Sequence, residues 1–210
     1  LRHIDQLAAW IVEDVGMVLP AVSQKHLSQL RQRVKRMERL LDDLLTYARI
    51  GRTDGDAEVV AVDALLDDII DLLAPPTGLV IEKGEMPTLH TVRTPLALVF
   101  RNLLGNAIKH HHQPTQGLIR ITGDDQGDFI KFCIQDNGPG IEPQYHARIF
   151  GMFQTLQSRD QTEGSGMGLA IVKKAVEQQG GTIQLESARE QGTTFSFTWP
   201  TVTQKEGLSL

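Results

Sequence analysis

Three separated stretches carry side chains that could do chemistry. Asn102, Asn106 and Lys109 recur at spacings of four and three, which puts them on one face of a helix. Leu103, Leu104, Ala107 and Ile108 then face a core. Two amide oxygens and one ammonium group share the exposed side. Neutral oxygens suit magnesium, which keeps several waters and takes protein and phosphate ligands together. A lysine one turn further on meets phosphate charge. Taken alone, this face is equally a solvated flank of an amphipathic helix. The second stretch, Asp136-Asn-Gly138-Pro-Gly140-Ile141, follows a strand-like run over 129–135. Asn-Gly and Pro-Gly are turn dipeptides. A carboxylate beside glycines also lets a flat ring approach the backbone. It would accept from the exocyclic amine of adenine, where guanine presents an acceptor oxygen. The third, Gly164-Ser-Gly166-Met167-Gly168-Leu169, opens a helix, whose first N–H groups can receive phosphate. It is not a Walker loop, because Leu169 stands where Lys is required. The polar run before it and the glycine spacing also depart from a dinucleotide fingerprint, although Glu186 lies near the distance of a ribose carboxylate.

Two regions of different grammar position these stretches. Residues 1–52 hold only Gly16, Gly51 and Pro20 as breakers. Leu27, Leu30, Val34, Met37, Leu41, Leu44 and Ala48 follow heptad spacing, and Ile4, Leu7, Ile11, Val15 and Val18 form a shorter stripe before Pro20. The pattern predicts an antiparallel helical hairpin that pairs with a second copy, the alternative being packing on its own globular domain. Residues 53–58 read as a linker and 201–210 as a tail. Between them, 59–200 alternates strands with helices over 64–73, 95–109 and 168–179, and predicts a two-layer α/β sandwich of α+β class with antiparallel strands. The run 142–164 is polar and suits a long loop.

Composition narrows the function classes. Lys and Arg number 21 against 26 Asp and Glu, a net charge of -5, so no basic footprint for nucleic acid exists. Cys133 is the only cysteine and falls in a strand expected to be buried, where a structural role is the default. No apolar run approaches the ~20 residues of a membrane span. The first residue, Leu1, already lies in a helical pattern, so a longer parent protein is expected.

Together the motifs resemble the ATP-binding domain of gyrase, heat-shock chaperone and histidine-kinase ATPases (the Bergerat or GHKL type), with sensor histidine kinases the nearest match. Asn102–His110 resembles their N box, Asp136–Ile141 and Gly164–Val172 the first two glycine boxes, Arg148–Phe153 the F box and Gly192–Phe197 the last glycine box. The hairpin resembles their dimerisation and histidine-phosphotransfer element. The resemblance implies a dimeric four-helix bundle, a homodimer that binds ATP with Mg2+, and a response-regulator receiver domain as partner. It implies a cytoplasmic kinase core, with any membrane attachment carried by upstream segments. It further implies Asn102 and Lys109 as catalytic residues and Asn106 as the magnesium ligand. Nucleotide contacts would come from Asn106, His110, Asp136, Gly138, Gly140, Ile141, Phe150, Phe153, Gly164, Gly166, Met167, Gly168, Leu169 and Thr194, the last supporting Asp136 through water.

Some details depart from the pattern. The family's phosphoacceptor lies in a sequence like His-Glu/Asp-x-x-x-Pro-Leu, and neither His3 nor His26 matches it. The acceptor is therefore expected upstream of Leu1. Adjacent rings in His110-His111-His112 are expected to diverge, which disfavours a shared metal. Two other readings remain: a nucleotide-binding or dimerisation module without kinase activity, and an ATP-hydrolysing clamp.

Overall fold

The computed structural model describes residues 1–16, 18–52, 55–112, 116–155 and 165–201. Helices α1 (Arg2–Val15) and α2 (Ala21–Arg49) run antiparallel. Pro20 opens α2, and the Gln24 side-chain amide donates to the carbonyls of Gly16 and Leu19 at 2.8 and 3.1 Å, which closes the turn. Ala8 and Val34 are buried, and Arg31 Nε donates to Asp5 Oδ1 at 2.9 Å. A groove of about 690 Å³ between these helices is lined by Val12, Ser28, Arg31 and Lys35 among others, far along the chain from the glycine-rich stretches.

The last turn of α2 does not stand free. Ile50 is buried in the main core, and Lys174 Nζ donates to the Tyr47 carbonyl at 2.6 Å while lying 4.3 Å from the centre of that tyrosine ring.

The rest is a sheet with helices on one face. Strands β1 (Glu58–Ala61) and β3 (Thr88–Thr91) form a separate antiparallel pair. The main sheet has the order β2 (Val80–Lys83), β4 (Leu118–Asp125), β5 (Phe129–Asp136), β7 (Thr193–Pro200), β6 (Ile183–Ser187). Three of its pairings are antiparallel, but β2 and β4 run parallel, contrary to the all-antiparallel reading. The connection explains it: parallel neighbours need a long crossover, and β3 with helix α4 (Arg93–His110) provides one. Helices α3 (Val62–Leu73), α4 and α5 (Gly168–Gln178) complete the second layer. The mixed α+β architecture with a leading helix pair is the expected one.

Alternation sets the two sheet faces. Ile130, Phe132, Ile134, Phe195, Phe197 and Trp199 point to the helices and are buried. Cys133 falls on the other face and is only half-buried, which corrects its assignment to the core. The polar end of Trp199 needs a partner in this apolar setting. Its indole N–H donates to Thr91 Oγ at 2.8 Å, with both residues wholly buried, and so binds the small sheet to the large one. Replacing Thr91→Val keeps the shape but strands the indole N–H. Urea unfolding should show a loss of about 1–3 kcal/mol.

Candidate functional site

Helix α4 is the floor of the site. Leu96, Val99, Phe100, Leu103, Leu104 and Ala107 are buried beneath it. Asn102 and Asn106 lie half-buried on the neighbouring stripe, with Lys109 and His110 exposed at the end. Asn102 donates through Nδ2 to the Leu98 carbonyl at 2.8 Å, which turns its oxygen outward from the helix. That oxygen faces the start of α5: a methyl group on Gly168 would lie 3.0 Å from it. Glycine lets the amide and the helix start approach closely without displacing the Asn102 side chain. Asn106 makes no side-chain hydrogen bond among the described residues, so its oxygen is available to a ligand. Although its side chain reaches solvent, partial desolvation of His110, and then the charge of Lys109, lower the imidazole pKa from its usual value. The lowered pKa favours the neutral imidazole at pH 7.

The second stretch forms a wall at the far end of α4. Asp136 is the last residue of β5, and its Oδ1 accepts from the Gly138 N–H at 2.9 Å. A methyl group at 138 would sit 2.7 Å from that same oxygen. Burial pushes the Asp136 pKa up; the Gly138 N–H, the nearby His111 and the Thr193 N–H pull it partly back. A carboxylate held this way gains from any ligand that donates to it. Gly192, with φ near +77°, lies directly against the Asp136 carbonyl. Gly140 packs on the carbonyl of Ala188.

The register moves one assignment. Thr193, not Thr194, pairs with Asp136, so their side chains share the helix-facing side of the sheet. Thr194 pairs with Gln135 and points to the opposite face, which removes it from the neighbourhood of the carboxylate. The error is one residue in a period of two, enough to change faces.

Other expected residues divide by what their side chains touch. Met167 is wholly buried in the core and can present only its backbone, whose N–H donates to Ser165 Oγ at 3.1 Å. Leu169 and Ile141 are packed against the core, and the Ile141 N–H donates to Ser187 Oγ at 2.8 Å. Phe150 meets Phe195 edge-on at 6.3 Å. Phe153 is 50% exposed with φ of 61°, and its backbone lies against Gly166. Gly164 lies outside the described residues.

Two residues enter that sequence reasoning left out of the site. Ser187 donates to the Gly192 carbonyl at 2.7 Å while accepting from Ile141, and so joins both loops around Asp136. His111 reaches the Asn137 side chain at 2.8 Å. Its ring does not diverge from its neighbour: His111 and His112 stack with centres 5.7 Å apart and planes 13° from parallel. Both lie past the last residue of α4, where helical geometry no longer spreads successive side chains. No sequence signal pointed to the contact, since its partner lies 26 residues away.

Helix α4 thus meets the start of α5 at Asn102, and His111, just past its last residue, meets the Asp136 turn. Nine residues separate the two contacts, about 13 Å along the axis. Asn106 and Lys109 lie between them. A carboxylate at one end, a glycine-framed helix start at the other and amide and ammonium groups between them fit an extended nucleotide with a divalent cation.

The fold is an α/β sandwich joined to a helix pair. Residues 91–203 match the family model described as histidine kinase-, DNA gyrase B-, and HSP90-like ATPase, and the chain belongs to that family. Its likeness within the family is to sensor histidine kinases. The phytochrome-like protein Cph1 of Synechocystis is 41% identical over 80% of this chain and 23% of its own length. The phosphate regulon sensor protein PhoR of Pseudomonas aeruginosa is 35% identical over 81% of this chain and 40% of its own. This chain thus spans about a quarter of the first relative and two fifths of the second. Among solved structures, full-length ShkA in complex with AMPPNP matches with a TM-score of 0.69 and 27% identity, covering 98% of this chain and 44% of that one. No helix among the described residues is long and apolar enough to cross a membrane.

Gly138→Ala tests the wall. The added methyl would force the Asp136 carboxylate aside without reaching the core. Unfolding should stay cooperative, while calorimetry should record about a tenfold or larger loss of adenine-nucleotide affinity, the worth of a charged hydrogen bond.

Proposed function

We propose that this chain is the ATP-binding and dimerising core of a sensor histidine kinase. It would bind ATP with magnesium and transfer the γ-phosphoryl to a histidine, from which it passes to an aspartate of a response-regulator receiver domain. One observation carries the reading: helix α4 meets the start of α5 through Asn102, and His111, the residue just past its end, meets the Asp136 turn. A nucleotide bound across that span would reach Asp136 at one end and the start of α5 at the other, with Asn106 and Lys109 between them.

In this reading Asp136 accepts from the adenine amine, with Thr193 beside it. Asn106 gives its amide oxygen to magnesium, and Lys109 and neutral His110 donate toward phosphate oxygens. The first N–H groups of α5 hold the remaining phosphate charge. Bound magnesium supplies positive charge across the phosphate oxygens, which phosphoryl transfer chiefly requires. Asn102 cannot take a proton from water, since an amide is no base, so uncoupled hydrolysis should be slow. In the transfer, the bond from the γ-phosphorus to its bridging oxygen breaks and ADP leaves. A bond from phosphorus to an imidazole nitrogen forms, and the imidazole proton goes to solvent. The acceptor is neither His3 nor His26, for both lack the flanking acid and proline of the family motif.

The helix pair supports a homodimer. Ile4, Leu7, Ile11, Val15, Leu30, Met37, Leu41 and Leu44 are each more than 40% exposed in the single chain. Stripes of that size on two adjacent helices call for a covering partner, and a second copy forms a four-helix bundle. Sedimentation should give a dimer at micromolar concentration, and Leu7→Glu with Leu41→Glu should give a folded monomer.

Nucleotide binding is tested by calorimetry with ATP and magnesium. Asn106→Ala should lose most of the magnesium dependence. Asp136→Asn should lose discrimination between adenine and guanine nucleotides. The wild-type affinity should fall on acidification, beginning above the pH at which an ordinary aspartate of pKa 3.8 would protonate, because burial raises this one. The sign for stability is opposite. A folded pKa above the unfolded value means that the fold favours the protonated carboxyl, so stability is lost as pH rises through the folded pKa. Nucleotide-free Asp136→Asn should therefore melt no lower than wild type at pH 7. Equal ATP binding by wild type and both variants would overturn the site.

A further inference from the structure

We propose that His111 is a positioning residue that fastens the phosphate-facing helix to the adenine-facing turn. The inference deepens the nucleotide-binding reading and rests on it. The argument begins with Asn137, which follows Asp136 directly. Its Nδ2 donates to the Gln116 carbonyl at 3.1 Å, and its Oδ1 accepts from the Leu118 N–H at 2.7 Å. These two bonds fix which end of the amide is oxygen. The third contact, His111 Nε2 to the same Oδ1 at 2.8 Å, must then be a donation from the imidazole. The ring therefore carries its proton on Nε2, whether neutral or charged.

The geometry gives that bond a purpose beyond the turn. His111 follows the last residue of α4, two positions after Lys109 and five after Asn106. Asn137 is covalently next to Asp136, and the His111 ring also lies 3.7 Å from the position of a methyl on Gly138. The bond spans 26 residues of sequence and joins two walls of one cleft. Each wall has its own support: α4 is seated on the sheet, and Asp136 ends a central strand. What the bond adds is their relative placement at the open end of the cleft. A ligand that reaches only one wall has no use for it, whereas one that spans both does.

The test separates those two kinds of ligand. The whole chain and its His111→Ala and His111→Gln variants are titrated with magnesium ATP, with adenosine and with inorganic tripolyphosphate plus magnesium, followed by calorimetry or ligand-observed NMR. His111→Ala should weaken ATP about three- to tenfold, the net worth of one hydrogen bond. Adenosine and tripolyphosphate should each change by less than about twofold on the same scale. His111→Gln, which keeps an N–H donor at similar reach, should restore most of the ATP affinity. A merely structural role would weaken all three ligands together, and that outcome overturns the proposal. So do ATP binding unchanged in His111→Ala, an equal loss for adenosine, and no recovery with glutamine. If ATP fails to bind wild type, the nucleotide reading itself falls. If wild type binds ATP and the alanine variant binds it equally, only the fastening role falls.

Discussion

The seat of α4 on the sheet governs everything the site can do. Phe100 stands edge-on to Phe132 at 5.2 Å and to Phe197 at 5.4 Å, and those two strand residues lie 5.2 Å apart. Edge-to-face packing has a preferred geometry, so the cluster fixes the rotation of the helix about its axis as well as its height above the sheet. Rotation is the quantity that matters. With Phe100, Leu103, Leu104 and Ala107 pointing down, Asn102 and Asn106 lie on the neighbouring stripe, and the Asn102 oxygen faces the start of α5. An α4 rolled by a single residue would bury the amides without partners, at a cost the aromatic cluster does not allow. The chemistry-bearing stripe is thus set by residues that never meet a ligand.

Glycine at a few close approaches converts that seat into a cleft. At 168 the missing side chain lets a helix start meet the Asn102 oxygen, and at 138 it leaves room for the Asp136 carboxylate. Serine then secures what glycine permits, since Ser187 holds the Ile141 and Gly192 backbones by one hydroxyl. The arrangement is costly to the empty protein, because Asp136 is a half-buried acid whose charged form the surroundings disfavour. In the proposed reading, stability and ligand recognition make opposite demands on this carboxyl, as expected of a perturbed pKa at a functional site.

Much of this was legible in the sequence, for identifiable reasons. Helix positions repeat with a period that survives errors of a residue or two, so the Asn102–Lys109 face and the helices around it could be read directly. The order of the five motifs identified the family where each motif alone was ambiguous. Strand faces were less forgiving. With a period of two, the choice between Thr193 and Thr194 depended on where β7 begins, and the adjacent threonines gave no means to decide. Cys133 was misplaced for the same reason. The parallel pairing of β2 with β4 was hidden because short strands carry no mark of their direction; only the crossover through α4 determines it. His111 was missed because a run of three histidines reads as composition. Its role comes from Asn137, 26 residues away, and such a pairing exists only in the fold.

Helix α5 links the site to the helix pair by the same economy of means. Its first residue, Gly168, faces Asn102, and six residues later Lys174 lies over the Tyr47 ring while donating to the Tyr47 carbonyl. A carbonyl in the last turn of α2 has no partner within its own helix, so a cation there satisfies an otherwise orphan acceptor and complements the helix dipole. The ring contact adds cation–π attraction in the same geometry. Ile50, buried a few residues on, gives the contact an apolar base. The end of α2 is therefore held by an acceptor it must satisfy, an aromatic face and a core residue, all meeting α5 or the core beneath it. A short helix with Gly168 at one end, facing Asn102, and this junction in its middle places the helix pair and the candidate site on one mechanical element. Their relative placement then follows from the packing of α5.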